Sequence, residues 1–307
     1  MSDPALSGTA PGPGFRGPAI GLVGLGLVGT ALAARMVQAG FTVLGHDRRD
    51  EACTEWRRAG GRLAPSLREI GASCESVVLA VFDTAGVLDV IEGADGLLAG
   101  ESAKAKCVVD CSTGDPEALR SLAARLAARG VAFLEAPLSG SSQQIAKGAA
   151  TMLLGGDAGA IAAHAALLDA LAPRRIHVGG AGMGARAKLA TNLVLGLNRA
   201  ALAEGLIFAE RLGIAPATFL ELVLATPARS DAALAKGALM VRGEFAPQSR
   251  IRQHLKDVLL MLAGAEAHGQ RLPLTEAHAA LLHAAVAAGD GELDNAAIVK
   301  QLRRERR

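Results

Sequence analysis

The stretch that decides the fold is IGLVGLGLVG at residues 20–29, an apolar run that leads into glycines spaced as GxGxxG. Gly24 permits a tight turn, Gly26 lets the backbone approach a pyrophosphate, and Gly29 lets a helix pack closely on its strand. The N–H groups and the dipole of the following helix attract phosphates. The predicted dinucleotide loop therefore consists of Gly24, Leu25, Gly26, Leu27, Val28 and Gly29.

The residues after the next predicted strand bear on the choice of cofactor. Asp47 follows Gly24 by 23 residues, and a carboxylate at this place can bond the adenosine ribose of NAD and repel the 2′-phosphate of NADP. Arg48 and Arg49 argue the other way, because either guanidinium could bind that phosphate. We expect NAD, with NADP as the alternative.

Strand and helix patterns alternate from Ala19 to about Gly180, which is typical of a parallel sheet covered by helices on both faces. One predicted helix, Leu27–Ala39, ends at Gly40, and another begins at Asp115-Pro116 and runs to Arg129. The predicted strands are Ala19–Val23, Thr42–His46, Ser76–Val81, Cys107–Asp110, Val131–Glu135, Thr151–Leu154 and Arg175–Val178.

Strand patterns stop after Gly184, and the rest of the chain is predicted to be helical. The expected fold is an α/β Rossmann-type, doubly wound N-terminal domain (residues 19–181) followed by an all-α C-terminal domain (residues 182–307). The catalytic cleft is expected between these domains. The predicted helices are Ala185–Arg211, Pro216–Ala225, Ile251–His268, Pro273–Ala288 and Asn295–Arg303.

Composition excludes several classes of protein. The 307 residues suffice for two domains, and 32 Lys and Arg against 30 Asp and Glu leave a net charge of +2. Basic residues are scattered outside the C-terminal end, and only 3% of residues are aromatic, so we expect no nucleic-acid partner. The four cysteines form no CxxC pair and no cluster at metal-ligand spacing, which favours a reducing compartment without a structural metal.

Apolar runs are interrupted before they reach the roughly 18 to 20 residues of a membrane span, so no membrane partner is expected. Residues 1–18 are rich in Pro, Gly and Ser and lack both a basic start and an apolar core. They are predicted to be a disordered tail rather than a signal peptide, which indicates a cytoplasmic protein.

Three segments carry candidate chemistry. Lys188 and Asn192 are four residues apart, so they share one helix face, and apolar neighbours suggest that both are buried. A buried lysine with a shifted pKa is a common acid–base group, although an exposed surface lysine is equally compatible with this segment alone. Hydroxyl-bearing turns follow two predicted strands, at Ser112-Thr113 and at Ser139-Gly140-Ser141. Each could be a plain turn, but together the segments are better explained as one site.

These ordered motifs resemble the β-hydroxyacid dehydrogenase family, typified by 3-hydroxyisobutyrate dehydrogenase and tartronate semialdehyde reductase. The resemblance runs from Ala19 to about Leu302. Its motifs are GLGLVG (24–29), DCSTGDP (110–116), APLSGS (136–141), GMGARAKLATN (182–192) and Lys256-Asp257, with Phe245, LPLT (272–275) and Asp294 also at matching places.

The resemblance implies an NAD(P)-dependent oxidoreductase acting on a small 3-hydroxy acid or its semialdehyde or keto acid. Lys188 would exchange the proton of the substrate oxygen, and Asn192 would fix both the lysine and the substrate. Ser141 departs from the glycine of many members and would add a hydroxyl to the substrate pocket. The substrate carboxylate would contact Ser112, Ser139 and Gly140, and the cofactor would contact Asp47, Arg48, Val81, Phe82, Thr113 and Lys256.

Alternatives within the same architecture are weaker. Imine reductases generally lack a lysine at the position of Lys188, and 6-phosphogluconate dehydrogenase has a histidine where this chain has Thr191. A non-catalytic dinucleotide-binding protein would bind cofactor without turnover. The apolar stretches Ala200–Leu212 and Leu255–Ala267 exceed what a small bundle should bury, which predicts a homodimer or homotetramer.

Overall fold

The computed structural model describes residues 19–100 and 102–305, so the predicted disordered tail lies outside the described residues. The described residues divide into two compact units, on either side of residues 187 and 188, which we call the sheet unit and the helical unit. The expected fold class, a Rossmann-type domain followed by a helical domain, is confirmed.

The sheet unit is built on one sheet in which strands β3-β2-β1-β4-β5-β6 are parallel neighbours. Strand β8 then pairs antiparallel with β6 and β7, and β9 pairs parallel with β8. The nine strands are β1 (Ile20–Val23), β2 (Val43–His46), β3 (Arg62–Leu63), β4 (Ser76–Leu79), β5 (Cys107–Asp110), β6 (Ala132–Glu135), β7 (Leu138–Ser139), β8 (Thr151–Gly155) and β9 (Arg174–Gly179).

Two features of this sheet differ from the sequence-based prediction. The antiparallel placement of β8 was missed; the connection from Ser139 to Thr151 is too short for the crossover that a parallel pair requires. The strands β3 and β7 were also missed, because two residues are too few to show an alternating pattern. All seven predicted strands exist, with ends that move by at most two residues.

Helices cover both faces of the sheet and enclose two separate apolar clusters. Helix α5 shows why the sequence starts a helix where it does: the Asp115 carboxylate accepts the Ala118 N–H at 2.7 Å, and Pro116 takes the first helical position. The helices of the sheet unit are α1 (Leu27–Gln38), α2 (Asp50–Arg58), α3 (Leu67–Ser73), α4 (Thr84–Glu92), α5 (Pro116–Ala127), α6 (Ser142–Ala146), α7 (Ala158–Ala163) and α8 (Ala165–Leu171).

The helical unit contains most of a 29-residue helix, α9, and the helices that follow it. Helix α11 was not predicted, although Ser230 caps its start by accepting the Ala233 N–H and Gly243 ends it with a φ of +69°. The predicted last helix is a 3₁₀ turn at Asn295–Ala297 followed by α14. The helices are α9 (Met183–Arg211), α10 (Pro216–Ala225), α11 (Asp231–Arg242), α12 (Ile251–Ala267), α13 (Pro273–Ala287) and α14 (Ile298–Arg304).

Among the described residues, α9 is the one helix long and apolar enough to cross a membrane by length and composition. Two of its residues, Ala203 and Leu206, lie in the apolar core of the helical unit together with Val258 of α12 and Leu282 of α13. The core helix of a bundle passes the same test of length and composition.

Candidate functional site

The loop between β1 and α1 is closed by two glycines that leave no room for a side chain. Gly24 has a φ of +95°, and a Cβ there would overlap the Ala80 carbonyl oxygen. A Cβ at Gly29 would overlap the Gly24 carbonyl oxygen, so the first turn of α1 lies directly on the loop. The close approach of helix and strand therefore depends on both glycines.

Gly26 faces open space instead. Among residues 19–100 and 102–305, a Cβ at Gly26 would have only Arg49 Nη2 within 4 Å, at 3.7 Å. No side chain in the described part of the chain caps α1. The half-buried Leu27 and Val28 belong to its first turn, where backbone N–H groups have no partner within the helix. An open glycine beside an uncapped helix start fits the pyrophosphate of a dinucleotide.

Asp47 already has partners in the structure. One carboxylate oxygen accepts the Leu25 N–H at 2.8 Å, and the other accepts the Arg49 N–H at 2.9 Å. The Arg49 guanidinium binds both oxygens, at 3.1 Å from Nε and 3.0 Å from Nη2. Arg48 and Arg49 are both exposed. Burial opposes ionisation of Asp47, but these hydrogen bonds outweigh it and hold the pKa of the carboxyl below its ordinary value. The sequence did not show which of the two arginines acts at this position. In the structure, Arg49 is the partner of Asp47.

The ends of β4 and β5 bring several predicted residues to one edge of the sheet. The Ser112 hydroxyl accepts the Val81 N–H at 3.0 Å, and the Ser112 N–H donates to Asp110 at 2.9 Å. Thr113 is buried beside this link, and Phe82 is 43% exposed. The strands are parallel neighbours, so their carboxyl ends, where ligands bind in such sheets, lie side by side.

The turn after β7 places Ser139 opposite Thr151 of β8. Gly140 follows with a φ of +153°, and a Cβ there would lie 2.9 Å from the Ala150 Cβ. Ser141 caps α6: its hydroxyl accepts the Gln144 N–H at 3.3 Å, and the Gln144 side chain accepts the Ser141 N–H at 2.8 Å. This capping box explains a serine at residue 141, and contact with the substrate stays a prediction.

Glu135, at the end of β6, was not singled out from the sequence. This buried carboxylate accepts the N–H groups of Gly182 and Ala185, the latter at 2.7 Å, and so fixes the start of α9. Burial raises the pKa of Glu135, although the two backbone donors oppose that shift. An acidic residue directly before an Ala-Pro turn, at the end of an apolar strand, was the available signal.

In the helical unit, Lys188 and Asn192 are both buried on one face of α9. Asn192 Nδ2 donates to Asp257 Oδ2 at 3.0 Å, and Lys256 Nζ pairs with Asp257 Oδ1 at 2.9 Å. Asp257 of α12 therefore links the predicted catalytic and cofactor residues of this unit. The Lys-Asp pair was noticed in the sequence, but this role of the aspartate was not.

Lys188 is only 8% exposed, so it is not a surface lysine. Burial lowers its pKa to about 8, with Asp257 opposing the shift and Lys256 adding to it. Such a lysine is present in both protonation states near neutral pH. It can therefore give or take a proton at an oxygen placed beside it.

Three further motif residues of the helical unit, Asp294, Phe245 and Thr275, are explained by contacts or burial within that unit. Asp294 is fully buried, pairs with Lys236 at 2.9 Å and accepts the N–H groups of Gln248, Ser249 and Ala296. Phe245 accepts the Asp294 N–H through its carbonyl, and Thr275 is buried. Within residues 19–100 and 102–305, no group of three or more His, Cys, Asp and Glu side chains could hold a metal ion.

Two family models match adjacent parts of the chain. Residues 19–180 match the NAD-binding domain of 6-phosphogluconate dehydrogenase, and residues 182–302 match the NAD-binding domain of NADP-dependent 3-hydroxyisobutyrate dehydrogenase. Together the two matches run through both compact units.

Two relatives and one solved structure are similar to this chain over nearly its whole length. An L-threonate dehydrogenase from Cupriavidus necator is 30% identical over 92% of this chain and 95% of its own length. The glyoxylate/succinic semialdehyde reductase 2 of Arabidopsis thaliana is 28% identical over 92% of this chain and 79% of its own. The crystal structure of 3-hydroxyisobutyrate dehydrogenase from Salmonella typhimurium superposes with a TM-score of 0.82 at 28% identity, covering 92% of this chain and 99% of that one.

Proposed function

Because this chain belongs to the β-hydroxyacid dehydrogenase family and is an NAD(P)-dependent oxidoreductase of CH–OH groups, we propose that it interconverts a small 3-hydroxy acid and its semialdehyde or keto acid. The observation that carries the proposal is Lys188, buried beside Asp257 on the helix face it shares with Asn192. This lysine is also what an imine reductase would generally lack.

The nicotinamide cofactor, when bound, supplies or accepts the hydride. In reduction, Lys188 gives a proton to the carbonyl oxygen of the substrate and stabilises the charge that grows there. In oxidation, neutral Lys188 takes the proton of the hydroxyl. Asn192 orients the substrate oxygen toward the lysine, and the bond to Asp257 keeps the Asn192 amide in one orientation.

The substrate carboxylate is proposed to bind Ser112, Ser139 and Gly140 of the sheet unit. Two of these residues offer hydroxyl groups, and all three lie at or just beyond strand ends. Related proteins are named for threonate, for glyoxylate and succinic semialdehyde, and for 3-hydroxyisobutyrate, which all belong to the class of short carboxylic acids. The class of substrate is thus better supported than any one acid.

For the cofactor we propose NAD, with NADP as the alternative. The Asp47 carboxylate at the end of β2 supports NAD, because it suits a ribose diol better than a phosphate. The Arg49 fork on that carboxylate supplies the positive charge that NADP would require. Val81, Phe82 and Thr113 at the sheet edge and Lys256 of the helical unit are proposed to contact the nicotinamide half.

A substrate panel tests the reaction. The purified protein is incubated with NAD or NADP and 3-hydroxyisobutyrate, glycerate, threonate and related sugar acids, and the absorbance of reduced cofactor is followed. We expect turnover of at least one short 3-hydroxy acid, and turnover at least about a hundredfold slower with Lys188→Ala prepared in parallel. Cofactor binding without turnover on any member of the panel would instead support a non-catalytic dinucleotide-binding protein.

We also propose a homodimer or homotetramer formed through the helical unit. Phe208 of α9 is 63% exposed and Leu274 of α13 is 70% exposed, and further large apolar side chains are exposed on the same unit. Light scattering at micromolar concentration should give a mass of two or four chains. A monomer mass would remove the proposal.

The cytoplasm remains our proposal for localisation. The structure gives Cys53, Cys74, Cys107 and Cys111 as free thiols, and three of them are buried. Free thiols support a reducing compartment.

A further inference from the structure

The polar face of α9 extends beyond the catalytic pair. Lys188, Asn192, Gly196 and Arg199 follow each other at spacings of four, four and three residues, which places them on one side of the helix. The first two belong to the candidate active site. Arg199, which lies three turns after Lys188, has no part in the proposed reaction.

Arg199 is a buried cation with an unmet hydrogen bond. The side chain is only 4% exposed, and its Nη2 has no acceptor in the part of the chain that the structure describes. Asp294 is the acid whose charge acts on it, but the oxygens of Asp294 already accept from Lys236 and from three backbone N–H groups. A buried guanidinium donor without an acceptor is costly, so this position favours an anionic occupant.

Two histidines converge on the same place. His254 of α12 is 6% exposed, and its Nε2 has no partner among the described residues. A Cβ on Gly196 would lie 2.5 Å from that nitrogen and 3.0 Å from Cε1 of His278. The centroids of the two imidazole rings are 5.1 Å apart, and the charge of Arg199 acts on both rings. The glycine thus lets both rings approach α9 one turn before the arginine.

The balance of buried charge indicates what kind of occupant suits the cluster. Arg199 and Lys236 are two buried cations, and Asp294 is the acid that acts on both. Among these three described residues, one positive charge is therefore left without a counter-charge, which a monovalent anion would balance. The rings leave no room for a Cβ on Gly196, so a single-atom anion, which needs the least space, suits the site better than an oxyanion.

We propose that Arg199, His254 and His278 form an internal binding site for a halide-like monovalent anion in the helical unit. The guanidinium supplies charge and N–H donors, and each imidazole can supply one further N–H donor. The site lies outside the residues assigned to cofactor and substrate, so it does not depend on the proposed reaction. Its occupation should stabilise the helical core around α9, α12 and α13.

Bromide crystallography tests occupancy directly. Crystals of the unmodified protein are grown or soaked with sodium bromide in place of chloride, and anomalous data are collected at the bromine edge. We expect an anomalous peak within about 3.5 Å of Arg199 Nη2, a distance typical of a charge-assisted contact with a large anion. A site that holds only water, or no peak at all, would overturn the proposal.

Thermal unfolding tests the energetics. At constant ionic strength, replacing gluconate by chloride should raise the Tm of the unmodified protein by about 2–4 °C, because the folded state alone binds the anion. Arg199→Met should abolish this rise. Arg211→Met, a change at an exposed arginine on the same helix, should leave it intact.

Two outcomes contradict the proposal in this second experiment: an equal Tm in both salts, or a chloride effect that survives in Arg199→Met. If Arg199→Met does not fold, the bromide experiment on the unmodified protein decides the question alone.

Discussion

The glycine loop of the sheet unit and the polar face of α9 in the helical unit use opposite means to prepare for a ligand. At the loop, function depends on missing side chains: Gly24 and Gly29 close the turn, and Gly26 leaves its outer surface bare. On α9, the functions that we propose depend on long polar side chains that are buried at a cost, such as Lys188 and Arg199. The first region is therefore sensitive to added atoms and the second to lost charges and to pH.

The two regions also differ in how their partners are found along the sequence. The loop lies within residues 24–29, and its long-range bonds run to two adjacent residues, from the Gly24 N–H to the His46 carbonyl and from the Leu25 N–H to Asp47. The face of α9 is completed by residues far away in sequence, since Asp257 lies 65 residues after Asn192. A local pattern can specify the first region, whereas only packing of whole helices specifies the second.

The largest expected effect is that of Lys188→Ala on catalysis. Loss of an acid–base group is typically worth about 10² to 10⁴ in rate, so kcat should fall by that factor while the Kd for NAD changes little. Lys188→Arg should not restore activity, because guanidinium stays protonated and is larger and planar. The measurement is single-turnover hydride transfer, with Lys147→Ala, at an exposed lysine, as the control.

Asn192→Ala should lower the same rate constant by a smaller factor, since it removes the orienting group and leaves the proton carrier. A Lys188→Ala rate within about threefold of the unmodified protein would show that the lysine is not the acid–base group. It would also contradict the expected sensitivity of α9 to the loss of a charge.

The next effect is on stability in acid, and it should arise in the helical unit. Burial, aided by the charge of Arg199, lowers the pKa of His278 from 6.5 to about 4, and burial also lowers the pKa of His254 well below its ordinary value. Between pH 6.5 and about 4 the unfolded chain therefore binds protons that the folded chain does not. Stability must fall as the pH is lowered through this window, by about 3 kcal/mol from His278 alone.

Urea unfolding at a series of pH values measures this slope. His278→Leu should flatten it, whereas His283→Leu, at an exposed position of the same helix, should not. A slope that is unchanged by His278→Leu would mean that the imidazole takes up its proton without unfolding.

A smaller effect is expected from alanine substitutions at two glycines of the loop, Gly29 and Gly26, which should affect different properties. Gly29→Ala should cost about 1–3 kcal/mol of folding free energy, because the added Cβ overlaps the Gly24 carbonyl and the backbone must shift. Gly26→Ala should fold with nearly unchanged stability but bind NAD about tenfold more weakly, since its Cβ stands where the pyrophosphate approaches. Urea midpoints and NAD titrations on both variants measure the two effects, and equal loss of stability in both would contradict these separate roles.

Much of the fold could be predicted because its signals are local. The apolar run before Gly24, the cap at Asp115 and the glycine after Ala39 each specify an element within a few residues. The antiparallel placement of β8 depends instead on a connection length and on the neighbour that β7 finds, which no window of sequence contains.

The candidate site shows the same division. The spacing of Lys188 and Asn192 predicts a shared face, but the pKa of the lysine depends on burial and on Asp257 from another helix. Glu135 escaped notice because its partners, Gly182 and Ala185, begin a helix about 50 residues later.

The smallest expected effect concerns Arg49, which follows β2 and whose guanidinium lies near the open surface at Gly26. Arg49 now holds the Asp47 carboxylate that the NAD ribose needs, so Arg49→Ala should free that carboxylate and shift the ratio of NADP to NAD dissociation constants toward NAD by about tenfold, near 1.4 kcal/mol. Asp47→Ser should shift the ratio the other way, because it removes the partner of the ribose and leaves the guanidinium free for a phosphate.

Arg48→Ala is the matched control, since Arg48 is exposed and its removal leaves the Asp47–Arg49 fork intact. Quenching of Trp56, the only tryptophan in the chain and one that packs beside Gly45 of β2, reports binding of either cofactor. If the unmodified protein prefers NADP by more than about tenfold and only Arg48→Ala reverses that preference, then Arg48 governs the pocket and the Asp47–Arg49 fork has no part in the choice.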